Sequence, residues 1–138
     1  MKIFWQRSIV MVQTAVLLMA AANATIATEA EIERWGIFEI SLNGPKDGNP
    51  FVDVNLSAEF QLNGAAVKVT GFYDGNGVYC IRFMPDRTGE WKYTTKSNSK
   101  ELDGKNGVFY CGNPSKNNHG PAGVKDTYHF AYADGKPY

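Results

Sequence analysis

Residues 52–62 read VDVNLSAEFQL, and every second residue from Val52 onward is apolar. Because successive side chains of a strand point to opposite faces of a sheet, this period of two predicts a strand with one buried face. Asn63-Gly64 follows directly, and this pair favours the tight turn of a β-hairpin because both residues tolerate positive φ. The returning strand is predicted to begin with Val67 and Val69.

The same pattern continues on both sides of this hairpin, with aromatic and β-branched residues in the runs and Gly and Asn between them. The further predicted strands are Arg34–Leu42, Val69–Tyr73, Val78–Met84, Glu90–Ser97 and Gly107–Cys111, with turns at Asp74–Gly77 and Pro85–Gly89. No segment after the first 24 residues has helical periodicity. About seven such strands predict an all-β antiparallel sandwich of the immunoglobulin or fibronectin type III kind, with a small open barrel as the alternative.

The first 24 residues predict a secretory signal peptide. Lys2 and Arg7 precede or begin an apolar run that extends to Ala22, and Ala22-Asn23-Ala24 forms an A-x-A cleavage site. A membrane-spanning helix is the alternative, but the run is shorter than the about 20 apolar residues that a span needs. We therefore expect cleavage after Ala24, a secreted or periplasmic location, and no membrane attachment afterwards.

The remaining 114 residues have the size of one domain and a formal net charge of −2. This charge argues against a nucleic-acid partner, which would require a basic stripe on the surface. The predicted boundaries are 1–24 for the signal peptide, 31–127 for the β-sandwich and 128–138 for the start of a following domain. The last of these rests on the final residues, which read as a strand, an Asp134-Gly135 turn and the beginning of a second strand.

Cys80 and Cys111 are the only cysteines. An oxidising compartment permits a disulfide between them, and this pairing is one prediction. The other prediction is two separate thiols, because the alternation of strand side chains places the two cysteines on opposite faces of a sheet. Cys80 lies between Tyr79 and Ile81 and would point outward, whereas Cys111 alternates with Phe109 and would point inward.

The sequence assigns no catalytic residue, no metal site and no cofactor. His119 and His129 are the only histidines, and no Cys, His or carboxylate set has the spacing of metal ligands. The Asp74–Gly77 segment lacks the closing Glu of a calcium loop. The carboxylates are spread over turns and outward strand positions, without the facing pair that glycoside hydrolysis requires.

Aromatic residues are the one indication of binding. Sugars stack on exposed aromatic rings, so a platform built from such side chains would indicate a carbohydrate-binding surface. Trp35, Tyr73 and Trp91 are the candidate carbohydrate-binding residues, and Trp35 and Tyr73 lie near predicted strand ends. The alternative for all three is core packing, because aromatic side chains at alternating strand positions carry much of the buried area of a sandwich.

Several linked motifs carry a resemblance to a known family. In chain order they are Trp35–Glu39, Gly44-Pro45 with Gly48–Phe51, Gly71–Gly75, Arg82–Asp86, Gly89–Trp91, Asn118–Pro121 and Phe130–Gly135. Residues 33–138 thereby resemble an uncharacterised N-terminal domain of secreted bacterial glycoside-hydrolase-like proteins. In that family the domain is an immunoglobulin-like sandwich that precedes a (β/α)₈ barrel related to apiosidases and endoglucanases.

The resemblance implies the sandwich, export and a carbohydrate-degradation setting, and the leading hypothesis is a non-catalytic accessory domain that braces or shapes the catalytic barrel of the same polypeptide. It implies that the catalytic acids lie on the barrel, and that Phe130–Tyr138 leads into the first barrel strand. Cys80 departs from the family, where a polar or charged residue is expected before the Ile-Arg-Phe run. The alternative function is a stand-alone secreted module that binds polysaccharide or another protein.

Overall fold

The computed structural model describes residues 30–138, and the predicted signal peptide at residues 1–24 lies outside this range. The described residues form ten β-strands and one four-residue helical turn, α1 (Pro50–Asp53). The strands are β1 (Ala30–Glu33), β2 (Phe38–Asn43), β3 (Leu56–Leu62), β4 (Ala65–Thr70), β5 (Phe72–Gly75), β6 (Val78–Phe83), β7 (Gly89–Ser97), β8 (Asn106–Gly112), β9 (Ala122–Lys125) and β10 (His129–Tyr132).

Eight of these strands form the two sheets of a sandwich. One sheet has the order β1-β8-β7-β3-β4, and the other has the order β2-β6-β5. Neighbouring strands pair antiparallel, except that β1 pairs in parallel with β8. The predicted all-β antiparallel sandwich is confirmed, with a short first strand in addition to the strands that the sequence pattern predicted.

Aromatic rings fill the space between the two sheets. Phe60 of β3 stacks on Phe83 of β6 with ring centroids 4.1 Å apart, and Phe38 of β2 stacks on Phe109 of β8 at 3.9 Å. Each pair joins one sheet to the other, so the stacking holds the sheets face to face. The buried core consists of Ile40, Leu56, Ala58, Phe60, Leu62, Tyr79, Ile81, Phe83, Trp91, Leu102, Phe109 and Cys111.

Both predicted Asn-Gly turns are present. Asn63 and Gly64 have φ values of 49° and 82° and join β3 to β4, while Asn76 and Gly77 have φ values of 52° and 81° and join β5 to β6. Positive φ at both central residues is the requirement of the two-residue hairpin turn, and Asn and Gly are the residues that accept it.

Two predicted strands begin at different residues from those expected. The alternating run at residues 52–62 is helical at Val52 and Asp53, because Pro50 starts α1, and β3 begins only at Leu56. Val52, which the alternation placed in the core, is therefore exposed. The predicted strand Arg34–Leu42 is interrupted by Trp35, whose φ of 64° is incompatible with a strand.

The predicted strand that ends at Tyr73 is divided at Gly71. Here the chain leaves β4 in the five-stranded sheet and enters β5 in the three-stranded sheet. A Cβ atom at Gly71 would lie 2.8 Å from Cγ1 of Ile81 and 2.8 Å from Cδ2 of Leu56, both of which are core residues. The crossing thus passes against the core where only a glycine fits.

The last two strands form a separate hairpin. β9 and β10 pair antiparallel, and Ala131 of β10 makes an isolated bridge to Pro137 after the Asp134-Gly135 turn. The strand and the turn predicted for the final residues are therefore present. The predicted boundary between residues 127 and 128 falls in the tight connection between β9 and β10, where Asp126 and Thr127 have positive φ.

Gly71→Ala should lower the free energy of unfolding by about 1–3 kcal/mol, because the added methyl group overpacks the core at the crossing. The matched control is Gly123→Ala, since a Cβ atom at Gly123 meets nothing within 4 Å. Urea unfolding followed by circular dichroism measures both. Equal midpoints for the two variants would contradict the tight crossing.

Candidate functional site

Trp91 lies in the core and offers no surface to a ligand. Its side chain is fully buried, and its indole Nε1–H donates a hydrogen bond to the carbonyl oxygen of Arg87 at 2.9 Å. The ring packs edge-on against Phe83, with centroids 4.9 Å apart. The candidate role of Trp91 in carbohydrate binding is therefore wrong, and the core alternative is the one that the structure supports.

Tyr73 is half-buried and serves first as a structural residue. Its hydroxyl oxygen accepts a hydrogen bond from the backbone N–H of Gly77 at 3.0 Å, which closes the β5–β6 turn. Its ring packs against Tyr79 on one side and meets Phe51 edge-on at 5.0 Å on the other. Phe51, which the sequence did not single out, is 74% exposed and is the accessible member of this aromatic group.

Trp35 lies where the sandwich meets the C-terminal segment. The Arg34 guanidinium lies 4.0 Å from the centroid of its ring, an arrangement that favours a cation–π interaction. The backbone of Gly120 approaches the same ring so closely that a Cβ atom there would lie 2.6 Å from Cδ2 of Trp35. Trp35 is thus half-buried and holds the C-terminal segment against the sandwich.

Hydrogen bonds reinforce this junction. The Ser115 amide donates to Oε2 of Glu33 at 2.6 Å, and Nδ2 of Asn118 donates to the Arg34 carbonyl at 3.1 Å. The bond from the Ser115 backbone is the largest cause that lowers the pKa of Glu33, because it stabilises the ionised carboxylate. The end of β1 therefore fixes the position of the segment that leads to β9.

A second cluster fixes the last turn. His119 Nδ1 lies 2.9 Å from Oδ2 of Asp134, and the ammonium group of Lys136 lies 3.3 Å from the same His119 nitrogen. The backbone N–H of Lys136 donates to Asp134 at 3.0 Å and is the largest cause that lowers the pKa of this carboxyl. Because His119 belongs to the segment tethered at Trp35, the cluster connects the last turn to the sandwich.

The C-terminal hairpin is held in place, yet its side chains are exposed to solvent. All ten residues from 121 to 130 are exposed, including Val124, Tyr128 and Phe130, and Tyr128 is 87% exposed. Tyr138 is also exposed and contacts Phe130. We call the surface formed by Val124, Tyr128, Phe130 and Tyr138 the hairpin surface. The sequence indicated strands here but gave no sign that their apolar side chains would remain uncovered.

The two cysteines are buried and free, so no disulfide joins Cys80 to Cys111 in the structure. Cys111 belongs to the core, whereas Cys80 does not and has its Sγ 3.6 Å from Oγ of Ser41. Cys80 therefore faces away from the core, as predicted, but its neighbours on the outer face bury it. Burial raises the pKa of the Cys111 thiol because it disfavours the thiolate.

Within residues 30–138, no three His, Cys, Asp or Glu side chains are grouped so that they could hold a metal ion. Several carboxylates form surface ion pairs instead, as Glu39 does with Arg82 at 2.6 Å. In the same part of the chain, no helix is both long enough and apolar enough to cross a membrane.

Comparison with known proteins finds a family model that matches part of this chain and a solved structure that resembles it. Residues 31–98 match the family described as "Domain of unknown function (DUF5060)". The chain is also 42% identical to a candidate glycoside hydrolase of known crystal structure from Bacteroides vulgatus, with a TM-score of 0.75 over 80% of this chain. The predicted resemblance is confirmed. No curated protein matches the chain.

The chain is related to only one part of this Bacteroides vulgatus relative, because it covers 21% of the relative's length. Residues 30–138 thus resemble one segment of a longer protein. About four-fifths of the relative's length has no counterpart in this chain.

Thiol titration tests the state of the two cysteines. Ellman's reagent should react with neither thiol in the folded protein, because both are buried, and should detect two thiols per chain in guanidinium chloride without a reducing agent. Cys80→Ser and Cys111→Ser should each remove one of them. Thiols that appear only after reduction would indicate a disulfide and contradict the structure.

Proposed function

We propose that residues 30–138 form a non-catalytic accessory domain of a secreted glycoside hydrolase, and that the domain braces the catalytic barrel of the same polypeptide through the hairpin surface. The similarity to part of a candidate glycoside hydrolase supports the setting. The observation that carries the bracing role is the hairpin surface itself, which is apolar, exposed and tethered to the sandwich.

A two-stranded hairpin is at best marginally stable alone in water, because it has no apolar partner for its second face. Here the hydrogen bonds at Glu33, Arg34 and His119 hold the segment before β9 and the turn after β10 in place. The hairpin itself presents Val124, Tyr128 and Phe130 to solvent. Exposed apolar groups that are contiguous and held in place are characteristic of interaction surfaces, and the partner we propose is a domain like those in the unmatched part of the Bacteroides vulgatus relative.

The strand order supports an immunoglobulin-like assignment within the sandwich class. β8, β7, β3 and β4 form one sheet in the order expected for strands G, F, C and C′, and β2, β6 and β5 form the other in the order B, E and D. Domains of this type are rigid spacers with loops at both ends, which suits a bracing role. The predicted export of the chain, which rests on residues 1–24, suits an enzyme that degrades external glycans.

The bracing role predicts association between this chain and the part of the Bacteroides vulgatus relative that lies outside the matching segment. Val124→Ser should abolish this association, because it removes an apolar side chain from the hairpin surface. Val52→Ser is the matched control, since Val52 is exposed to the same extent, 72% against 70%, but lies far from the hairpin. Isothermal titration calorimetry measures the binding.

The relative's own matching segment serves as the positive control for this titration. If that segment binds and this chain does not, or if Val124→Ser binds as tightly as the unchanged chain, the proposed contact is wrong.

The non-catalytic role predicts that residues 25–138 release no sugar from plant polysaccharides and no phenol from aryl glycosides. The physical reason is that glycoside hydrolysis requires a facing pair of carboxylates, and the resemblance implies that this pair lies on the catalytic barrel. Reducing-sugar and absorbance assays against a buffer blank measure this. Reproducible turnover that is lost on heat denaturation would contradict the proposal.

A further inference from the structure

A groove runs along the outer face of the five-stranded sheet, at the end opposite to the hairpin surface. It has a volume of about 770 Å³, within the range of small-molecule and oligosaccharide sites. We call it the sheet groove, and its main lining residues are Phe51, Asn55, Ser57, Lys68, Lys96 and Asp103. The accessory role proposed above assigns no task to this surface.

Strand pairing brings the polar residues of the groove together. Ser57 of β3 pairs with Thr70 of β4 on one side and with Lys96 of β7 on the other. Two residues further along β3, Glu59 pairs with Lys68 and Thr94. Because residues two apart on a strand share a face, these side chains form a continuous polar row on the outer side of the sheet.

Phe51 stands at the end of this row and is held there by α1. Buried Pro50 begins the helical turn, and the backbone N–H of Asn49 donates to Oδ2 of Asp53 at 2.9 Å. The Asn98 side chain then bridges both sides of the turn, donating to the Asp53 carbonyl at 2.7 Å and accepting from the Asn55 amide at 2.8 Å. An exposed aromatic ring on such a fixed backbone is preorganised for a ligand.

The hydrogen-bonding groups of the groove divide into two kinds. Asn98 and Asp103 bond to backbone groups, since Oδ1 of Asp103 accepts from the Ser97 amide at 2.8 Å, and they shape the groove. The ammonium groups of Lys68 and Lys96 form no ion pair within residues 30–138 and remain available as donors. Their charge is balanced by Asp103 and Glu59, which line the same surface.

We propose that the sheet groove binds a neutral oligosaccharide. One sugar ring would stack on Phe51 through its apolar C–H face, and hydroxyl groups of the next units would bond to Lys68, Lys96 and Ser57. The balanced charges favour a neutral glycan over an acidic one, because no net positive field is present to select carboxylates. The glycan class rests on the proposed function, whereas the position of the site rests on the groove alone.

The sheet groove lies far from the hairpin surface. β7 has nine residues, so its ends lie about 26 Å apart at ~3.3 Å per residue. The sheet groove lies near the Ser97 end of β7, and the tether at Glu33 lies near the Gly89 end, because Gly112 pairs with Glu33 and Cys111 pairs with Gly89. A glycan in the groove therefore does not compete with a domain on the hairpin surface.

The test is titration of the folded chain with soluble xyloglucan, xylo-oligosaccharides and galactan, with polygalacturonate as the acidic comparison. Binding is measured by isothermal titration calorimetry. At least one neutral glycan should bind, Phe51→Ala should weaken it about tenfold, and Lys96→Gln should weaken it by a similar factor. Lys92→Gln is the matched control, because Lys92 lies on the same strand but pairs with Glu90 outside the groove.

Four outcomes are informative. Neutral-glycan binding that Phe51→Ala and Lys96→Gln weaken and Lys92→Gln leaves unchanged supports the site. Absence of binding across the panel, binding of polygalacturonate alone, or equal loss in Lys92→Gln overturns it. Phe51 is largely exposed, so its variant should unfold at the same temperature as the unchanged chain. Absence of glycan binding would not change the outcome of the Val124→Ser association experiment. Absence of that association would not change glycan binding, so the two proposals can be contradicted separately.

Discussion

The stacking of Phe60 on Phe83 is the contact on which the rest of the structure depends. These rings come from β3, an interior strand of the five-stranded sheet, and β6, the central strand of the three-stranded sheet, and their centroids lie 4.1 Å apart. Phe109 and Trp91 extend the contact, with their rings nearly parallel. A modest domain of this size has one core, so the stack determines both the separation of the sheets and the positions of their ends. Each surface with a proposed role lies at one of those ends.

The aromatic residues divide into three uses, and the division follows from the backbone beneath each one. Trp91 lies at an inward position of β7, and its side chain is fully buried in the core. Trp35 lies in a left-handed turn, where its ring leaves the sheet and joins the C-terminal segment to the sandwich. Phe51 lies on a helical turn that Pro50 begins, which carries the ring outside both sheets. Of these three, only Phe51 is largely exposed.

The sequence predicted those features that depend on neighbours along the chain. Alternation identified β3 and β7 and the buried position of Phe60, and Asn63-Gly64 identified the first hairpin. It missed features that depend on distant contacts. Gly71 looks like part of a strand until Ile81 and Leu56 are seen to block any side chain there. Cys80 was correctly given an outward direction, but its burial depends on the neighbouring strands β2 and β5, where Ser41 and Phe72 pair with it.

The same limitation applies to the two surfaces with proposed roles. The apolar residues of β9 and β10 resemble any other strand pattern, because alternation records which side chains share a face and not whether anything covers that face. Their exposure follows from the position of the hairpin, which the tethers at Glu33 and Trp35 hold at one end of the sandwich. Since the stacked core makes the sandwich rigid, a partner docked on the hairpin surface would stand at a fixed distance from Phe51. The two proposed contacts therefore use separate surfaces, and neither would disturb the other.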